Sequence, residues 1–177
     1  VDVDLLGGEN RREPYLSINP AGQMPALVLD SGASVTEVTA ICEYLEELAP
    51  QPPLIGTNAE QRAQTRMWVR RVDMKVCEHI VNGFRFAEGL PLFENRLRCL
   101  PEAAAGLKAT AQDGLTWIEA NVQGPWIAGD RFTLADIMLF SFVEFGASVV
   151  QPLDARHTKV NDWFARMKDR PSAVATA

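Results

Sequence analysis

The chain has 177 residues, of which 47% are hydrophobic, and its formal net charge is −6. This is enough apolar material for a sizeable core in one domain or two small ones. The acidic balance and the absence of a basic run exclude a nucleic-acid partner, and no apolar stretch approaches the ~20 residues of a membrane span.

The first fifty residues predict a small mixed unit of strands and helices. Residues 1–6 alternate between apolar and acidic side chains and therefore predict a strand, which the glycine pair at 7–8 ends. Residues 11–18 form either a short helix or an irregular segment. A short apolar strand, 26–29, and a return strand, 33–35, are separated by turn-forming residues and together predict a hairpin.

A loop and a helix flank this hairpin, and the three together form the candidate binding region. The loop, residues 19–25, contains two prolines and a glycine. The helix is predicted to begin at Thr36-Glu37 and to end near Pro50. Main chain beside Met24-Pro25 and the free N–H groups of the helix start can each hold part of a small anionic peptide. The apolar positions of the helix are Val38, Ile41, Cys42, Leu45 and Leu48.

A proline-rich stretch, residues 51–58, predicts a linker between two domains. The first domain, residues 1–50, is the small mixed unit, and the second, residues 59–177, is predicted to be all helical. Gly83 is predicted to end the first long helix of that second domain. The long helices predicted from apolar periodicity begin near Ala59, Pro101 and Thr158.

Residues 132–137, with the sequence FTLADI, predict the start of a buried helix. Thr133 is placed as the N-cap, and Asp136 three residues later completes a capping box with Asp in the usual Glu position. Phe132 and Ile137 occupy the positions of a hydrophobic staple. The residues that follow are apolar nearly all round, so the helix should be buried. We interpret Thr133 and Asp136 as structural residues.

The cysteines indicate neither a disulfide framework nor a metal site. There are three of them, an odd number, at Cys42, Cys77 and Cys99, far apart in the sequence. This spacing is typical of free thiols in a reducing compartment. The sequence has no CxxC pair and no His/Cys cluster, so no metal is predicted.

Taken together, the loop–hairpin–helix region and residues 132–137 resemble the cytosolic glutathione transferases, and the resemblance covers essentially the whole chain. It implies an α+β protein with a thioredoxin-like N-terminal domain, of which a βαββα portion is present here, followed by an all-α helical bundle domain. It also implies a cytoplasmic homodimer that acts in detoxification, with glutathione as co-substrate and no metal.

The resemblance assigns five residues to glutathione. The main-chain N–H and C=O of Met24, which precedes a cis Pro25, would pair with the cysteinyl unit. Glu37 would bind the γ-glutamyl ammonium, although a carboxylate there also stabilises the helix dipole without any ligand. The N–H of Val38 would bind the γ-glutamyl carboxylate, and Gln23 would contact the tripeptide. The family has serine where this chain has Val38, so one hydrogen bond, worth about 1 kcal/mol, should be missing.

The implied reaction is attack of the glutathione thiolate on a hydrophobic electrophile. In the family, the Tyr, Ser or Cys that acts on the sulfur precedes the position of Val1, so we expect the catalytic residue upstream of Val1. Two alternatives remain open. One is a non-catalytic interaction module of this fold, and the other is a glutathione-dependent thiol reductase or isomerase. The residues upstream of Val1 would decide between conjugation and thiol transfer.

Overall fold

The computed structural model describes residues 1–176. The chain divides into two compact units, Val1–Pro53 and Leu54–Ala177. The first unit contains a two-stranded antiparallel sheet, and the elements of the second are helical. No helix of the described residues has both the length and the apolar character needed to cross a membrane.

The first unit is built around a hairpin. Strand β1, Ala26–Val28, pairs antiparallel with β2, Ser34–Thr36, and the register places Ala26 opposite Thr36. Gly32 in the turn has a φ of 83°, which glycine adopts without the steric cost that a Cβ would add. The remaining elements of this unit are a 3₁₀ turn at Glu9–Arg11 and the helices α1, Tyr15–Ile18, and α2, Val38–Leu48.

Residues 1–6 do not form the strand that their alternation predicts. A strand needs a neighbouring strand for its N–H and C=O groups, and within residues 1–176 the hairpin sheet contains only β1 and β2. The segment turns instead: the main-chain N–H of Asp4 donates to Glu9 Oε2 at 2.7 Å, and Asp4 Oδ1 accepts from the N–H of Gly7 at 2.7 Å. Of the predicted βαββα portion, the helices and the hairpin are present and the first strand is not.

Helix α2 ends at the predicted place, but its apolar face is only partly covered. The helix packs against both strands of the hairpin, and Ile41 is the residue it buries, at 8% exposure. Leu45 and Leu48 are 47% and 66% exposed. Helical spacing of apolar residues therefore predicted the helix correctly.

The second unit is a helical bundle. Its first long helix consists of α3, Ala59–Val72, a π-helical segment, Asp73–Cys77, and α4, Glu78–Arg85. The prediction that Gly83 ends this helix is wrong, because Gly83 lies inside α4. The other elements are α5, Leu90–Phe93; a 3₁₀ turn, Pro101–Ala103; α6, Ala104–Asn121; α7, Leu134–Ser148; α8, Thr158–Lys168; and α9, Pro171–Thr176.

Glycines allow α6 and the first long helix to approach closely. A Cβ at Gly83 would lie 2.9 Å from Cγ of Lys108, and a Cβ at Gly114 would overlap the carbonyl of Lys75. The core lies where these helices meet α7 and α8, and its most buried members are close to 0% exposed. They include Val72, Val76, Ile118, Leu139 and Val160.

The start of α7 has the predicted capping box. The main-chain N–H of Thr133 donates to Asp136 Oδ2 at 2.8 Å. Asp136 Oδ1 accepts from the N–H of Ile127 at 2.8 Å and from the indole of Trp163 at 2.9 Å. Burial raises the pKa of Asp136, and the hydrogen bonds that its carboxylate accepts oppose the rise. Both residues of the box therefore have structural partners, in keeping with their structural interpretation.

Candidate functional site

The loop of residues 19–25 is held by three buried polar side chains. The hydroxyl of Tyr15 donates to the carbonyl of Gln23 at 2.6 Å, and Nδ2 of Asn19 donates to the same carbonyl at 2.7 Å. Nδ2 of Asn10 donates to the carbonyl of Gly22 at 2.6 Å. Tyr15, Asn19 and Asn10 are 8%, 3% and 4% exposed. The loop conformation is therefore set by side chains of its own unit.

At the end of this loop, the peptide bond between Met24 and Pro25 is cis, as the resemblance predicts. No hydrogen bond of the described residues uses the main-chain N–H or C=O of Met24, and the residue is 38% exposed. Main-chain groups that are exposed and unpaired can pair with an extended peptide in the manner of an added strand.

The hairpin brings the start of α2 beside this loop. Ala26, which follows Pro25 in the chain, lies opposite Thr36, which precedes Glu37. The register therefore brings the Met24-Pro25 bond and the first residues of α2 to the same end of the hairpin.

Glu37 is the N-cap residue of α2 and has an unusual backbone conformation, with φ 69° and ψ 117°. A positive φ at a residue other than glycine costs roughly 1–3 kcal/mol and is concentrated at ligand-binding sites. Its carbonyl accepts from the N–H of Ile41 at 3.0 Å, whereas its carboxylate has no hydrogen bond or ion pair within the described residues. The side chain is therefore available to a ligand.

Val38 is the first residue of α2, and no side chain caps the first turn. The N–H groups at this helix start carry the positive end of the helix dipole. The Val38 side chain is 45% exposed and offers no hydroxyl. Gln23 is likewise exposed and contributes its carbonyl to the buried network described above. The predicted residues are thus near one another, within the loop or at the helix start next to it.

The roles of Tyr15 and Asn10 were not predicted from the sequence. Their acceptors are main-chain carbonyls of the loop, and nothing in the residue types of Gly22 or Gln23 identifies a carbonyl as an acceptor. Asn19 was predicted as part of the loop, but not as a donor within it. The Asn-Pro pair at 19–20 is the one local signal, because asparagine side chains commonly bond to nearby main chain in turns.

The environments of Cys42 and Cys77 disfavour the reactive thiolate form. Burial raises the pKa of Cys42, and burial together with the nearby Asp73 carboxylate raises the pKa of Cys77. A reactive cysteine needs the opposite environment, with a lowered pKa. Among residues 1–176, no group of His, Cys, Asp and Glu side chains could hold a metal ion.

Comparison with known families identifies both units. Residues 1–53 match the model of the glutathione S-transferase N-terminal domain, and residues 85–166 match that of the C-terminal domain. The glutathione S-transferase GstA of Escherichia coli O157:H7 is 31% identical over 174 residues, which are 97% of this chain and 81% of that protein. The chain therefore belongs to the glutathione S-transferase family.

Solved structures agree with this assignment. Gtt2 of Saccharomyces cerevisiae superposes with a TM-score of 0.93 at 27% identity, over 100% of this chain and 86% of that one. A glutathione transferase homologue from Sulfitobacter, solved with bound glutathione, gives a TM-score of 0.80 at 25% identity over 99% of this chain and 83% of that one. The fold is thus a thioredoxin-like N-terminal domain followed by an all-helical domain, which confirms the predicted fold class.

Proposed function

We propose that this protein is a glutathione transferase that binds glutathione at the loop and helix start described above. The observation that carries the proposal is the unpaired main chain of Met24, at the same end of the hairpin as the free carboxylate of Glu37 and the uncapped start of α2. The main chain of Met24 can pair with an extended peptide, the carboxylate of Glu37 is an anion, and the start of α2 provides N–H donors. They complement a γ-glutamyl tripeptide, which has an extended main chain, an ammonium and a carboxylate.

Each residue has a stated role in this proposal. The N–H and C=O of Met24 pair with the cysteinyl unit, next to the cis bond to Pro25. Glu37 pairs with the γ-glutamyl ammonium through charge-assisted hydrogen bonds. The N–H of Val38 donates to the γ-glutamyl carboxylate, and the exposed side chain of Gln23 contacts the same ligand.

The chemistry proposed is nucleophilic substitution by the thiolate. A free thiol has a pKa near 8.5, so only a few per cent is ionised at pH 7. A decrease of ~2 units corresponds to about 2.7 kcal/mol of preferential stabilisation of the anion. The proton leaves to solvent, a carbon–sulfur bond forms, and the leaving group departs with its bonding electrons. We assign the stabilisation of the thiolate to none of the described residues.

The substrate and assembly in this proposal follow the family resemblance. The second substrate is a small hydrophobic electrophile, and the active form is a cytoplasmic homodimer. Glutathione is a co-substrate that is consumed in the reaction. Size-exclusion chromatography with light scattering would measure the molar mass in solution. The mass of a monomer at micromolar protein concentration would contradict the proposed homodimer.

Calorimetric titration with glutathione tests the binding step, and conjugation of chlorodinitrobenzene by the protein in its full natural length tests the reaction. The variant Glu37→Gln should weaken glutathione binding about tenfold, because a charge-assisted hydrogen bond becomes a neutral one. Its matched control is Glu47→Gln, an exposed position on the same helix, which should bind normally. Absence of both binding and turnover in the unmodified protein would overturn the proposal.

A non-catalytic interaction module is the second candidate, and Val38 favours it because the side chain lacks the hydroxyl that the family offers to glutathione. This candidate predicts a folded dimer that gives no heat of glutathione binding. Turnover of a disulfide instead of an aryl halide would indicate the thiol reductase of the same fold.

A further inference from the structure

We propose that Tyr15 and Asn19 are positioning residues for glutathione, which act by fixing the direction of the Met24 N–H. The inference rests on the proposed function, because it concerns the same binding site. Neither residue is placed to touch the ligand in this proposal. Both act through the peptide group that joins Gln23 to Met24.

Two donors converge on one carbonyl oxygen. The Tyr15 hydroxyl lies 2.6 Å and Asn19 Nδ2 lies 2.7 Å from the oxygen of Gln23. A carbonyl oxygen has two lone pairs, so both are used. Tyr15 and Asn19 are 8% and 3% exposed, and buried polar groups of this kind are costly to leave unpaired. Rotation of the Gln23 carbonyl would break both hydrogen bonds at once.

The geometry of the peptide group transmits this constraint to Met24. The bond between Gln23 and Met24 is not among the cis bonds of the chain, and a trans peptide group is planar with its C=O and N–H pointing in opposite directions. The two buried donors hold the carbonyl toward the interior. The N–H of Met24 is consequently directed away from it, and it is this N–H that has no partner in the described residues.

The donors are themselves fixed. The main-chain N–H of Asn19 donates to the carbonyl of Tyr15 at 2.9 Å, and Asn19 Oδ1 accepts from the N–H of Ala21 at 3.1 Å. A binding group that is held in its bound direction before the ligand arrives loses less conformational entropy on binding. The network therefore acts as a preorganising device for the main-chain pairing with the cysteinyl unit.

The variant Tyr15→Phe removes one of the two donors and keeps the ring. We expect glutathione affinity to fall about fivefold, the effect of one hydrogen bond. The matched control is Tyr44→Phe, because the hydroxyl of Tyr44 has no hydrogen bond in the described residues. A second variant, Asn19→Asp, keeps the acceptor for Ala21 and replaces the donor to Gln23 by an oxygen, so its loss of affinity should be larger.

A readout specific to positioning is the amide resonance of Met24 in ¹⁵N-labelled protein saturated with glutathione. In the unmodified protein, its proton should move downfield on binding. In Tyr15→Phe at saturation, the change in the chemical shift of the Met24 amide proton on binding should be smaller. The corresponding change for the Val38 amide proton should be the same as in the unmodified protein. Saturation removes the effect of reduced affinity from the comparison.

Three results would overturn the inference. In the first, Tyr15→Phe binds as tightly as the unmodified protein. In the second, its affinity falls while the Met24 and Val38 shifts at saturation are both unchanged, which indicates a purely structural role. In the third, the unmodified protein does not bind glutathione at all, which removes the proposed function as well. The behaviour of the unmodified protein thus separates failure of the proposed function from failure of the inference.

Discussion

The carboxylate of Asp136 accepts a hydrogen bond of 2.9 Å from the indole Nε1 of Trp163, a residue 27 positions further along the chain. The two residues are 0% and 1% exposed. The same carboxylate accepts from the main-chain N–H groups of Ile127 and Thr133. One side chain therefore joins the start of α7 to the connector before it and to α8.

Replacing Asp136 with Ala should lower the free energy of unfolding by about 3 kcal/mol or more. Three buried N–H donors would lose their acceptor, and each such loss costs about 1–3 kcal/mol. Urea unfolding followed by tryptophan fluorescence measures the change. Asp130→Ala is the matched control, because Asp130 is exposed and a surface change of this kind should stay within about 0.5 kcal/mol. Equal stability of the two variants would contradict the prediction.

Glu119 on α6 gives a prediction about pH. Its carboxylate accepts from the main-chain N–H groups of Lys159 at 3.0 Å and Val160 at 2.9 Å, in the first turn of α8. Although burial acts to raise the pKa of Glu119, these hydrogen bonds and that of the Thr158 hydroxyl lower it below the ordinary value of 4.5. A carboxylate with a lowered pKa in the folded state stabilises the fold only when ionised.

The contribution of Glu119 should thus be complete above about pH 4.5 and be lost as pH falls through the folded-state pKa. Glu119→Gln should lower the melting temperature at pH 7 by a few degrees, for a loss of about 1 kcal/mol. The difference from the unmodified protein should narrow below pH 4.5. Glu144→Gln, on the exposed side of α7, should show no such narrowing. A difference that stays constant with pH would contradict the assignment.

Two glycines of α6, Gly114 and Gly106, have opposite surroundings and therefore serve as test and control for the same substitution. A Cβ at Gly114 would overlap the main chain of Lys75, whereas a Cβ at Gly106 would meet nothing within 4 Å. Gly114→Ala should destabilise the protein by about 2–3 kcal/mol through overpacking. Gly106→Ala should stabilise it by about 0.5–1 kcal/mol through helix propensity. Thermal unfolding of both variants measures the two effects, and changes of the same sign would contradict the packing described.

Val38→Ser should strengthen glutathione binding if the proposed site is correct. The new hydroxyl at the first residue of α2 can donate to the γ-glutamyl carboxylate, and one such hydrogen bond is worth about 1 kcal/mol, or about fivefold in affinity. Calorimetry with glutathione measures the gain. Val28→Ser, at an exposed strand position of the same unit, should leave affinity unchanged. If the affinity of Val38→Ser is unchanged, the γ-glutamyl carboxylate of glutathione does not bind at the start of α2.

Glu37→Gly should change stability and binding in opposite directions. Glycine adopts the observed φ of 69° at little cost, so the free energy of unfolding should rise by about 1 kcal/mol. Loss of the carboxylate should weaken glutathione binding by about tenfold or more. Glu37→Ala keeps the backbone strain and also loses the carboxylate, so it should weaken binding equally without any gain in stability. A fall in stability for the glycine variant would show that the backbone conformation is not strained.

Sequence patterns predicted those parts of the fold that depend on local chemistry. The capping box at Thr133 and Asp136 was predicted because both of its members lie within four residues of each other. Helix α8 begins at the predicted residue, Thr158, and α2 ends near the predicted Pro50, since apolar spacing and proline mark these positions. The hairpin followed in the same way from two apolar runs and a turn.

The features that the sequence did not predict depend on packing partners that are distant in the sequence, or on the conformation and hydrogen bonds of the main chain. The alternation in residues 1–6 is typical of a strand with one apolar and one polar face. It carries no information on whether another strand is present to pair with it. Gly83 looks like a helix end, although its small size serves packing against Lys108. The π-helical segment Asp73–Cys77 was missed because Val72, Val76 and Ile80 follow helical spacing across it. At the candidate site, the ligand was inferred from the family resemblance, and the hairpin register explains why Ala26 and Thr36, ten positions apart, lie opposite each other.

The hydrogen bonds of Glu119 to the first turn of α8 also affect how the helical unit unfolds locally. The N–H groups at the start of α8 have their acceptors on α6, about forty residues earlier in the chain, so α8 cannot separate without leaving them unpaired. Local opening therefore proceeds in contiguous blocks that share such contacts. We therefore expect α8 to open in the same cooperative block as α6.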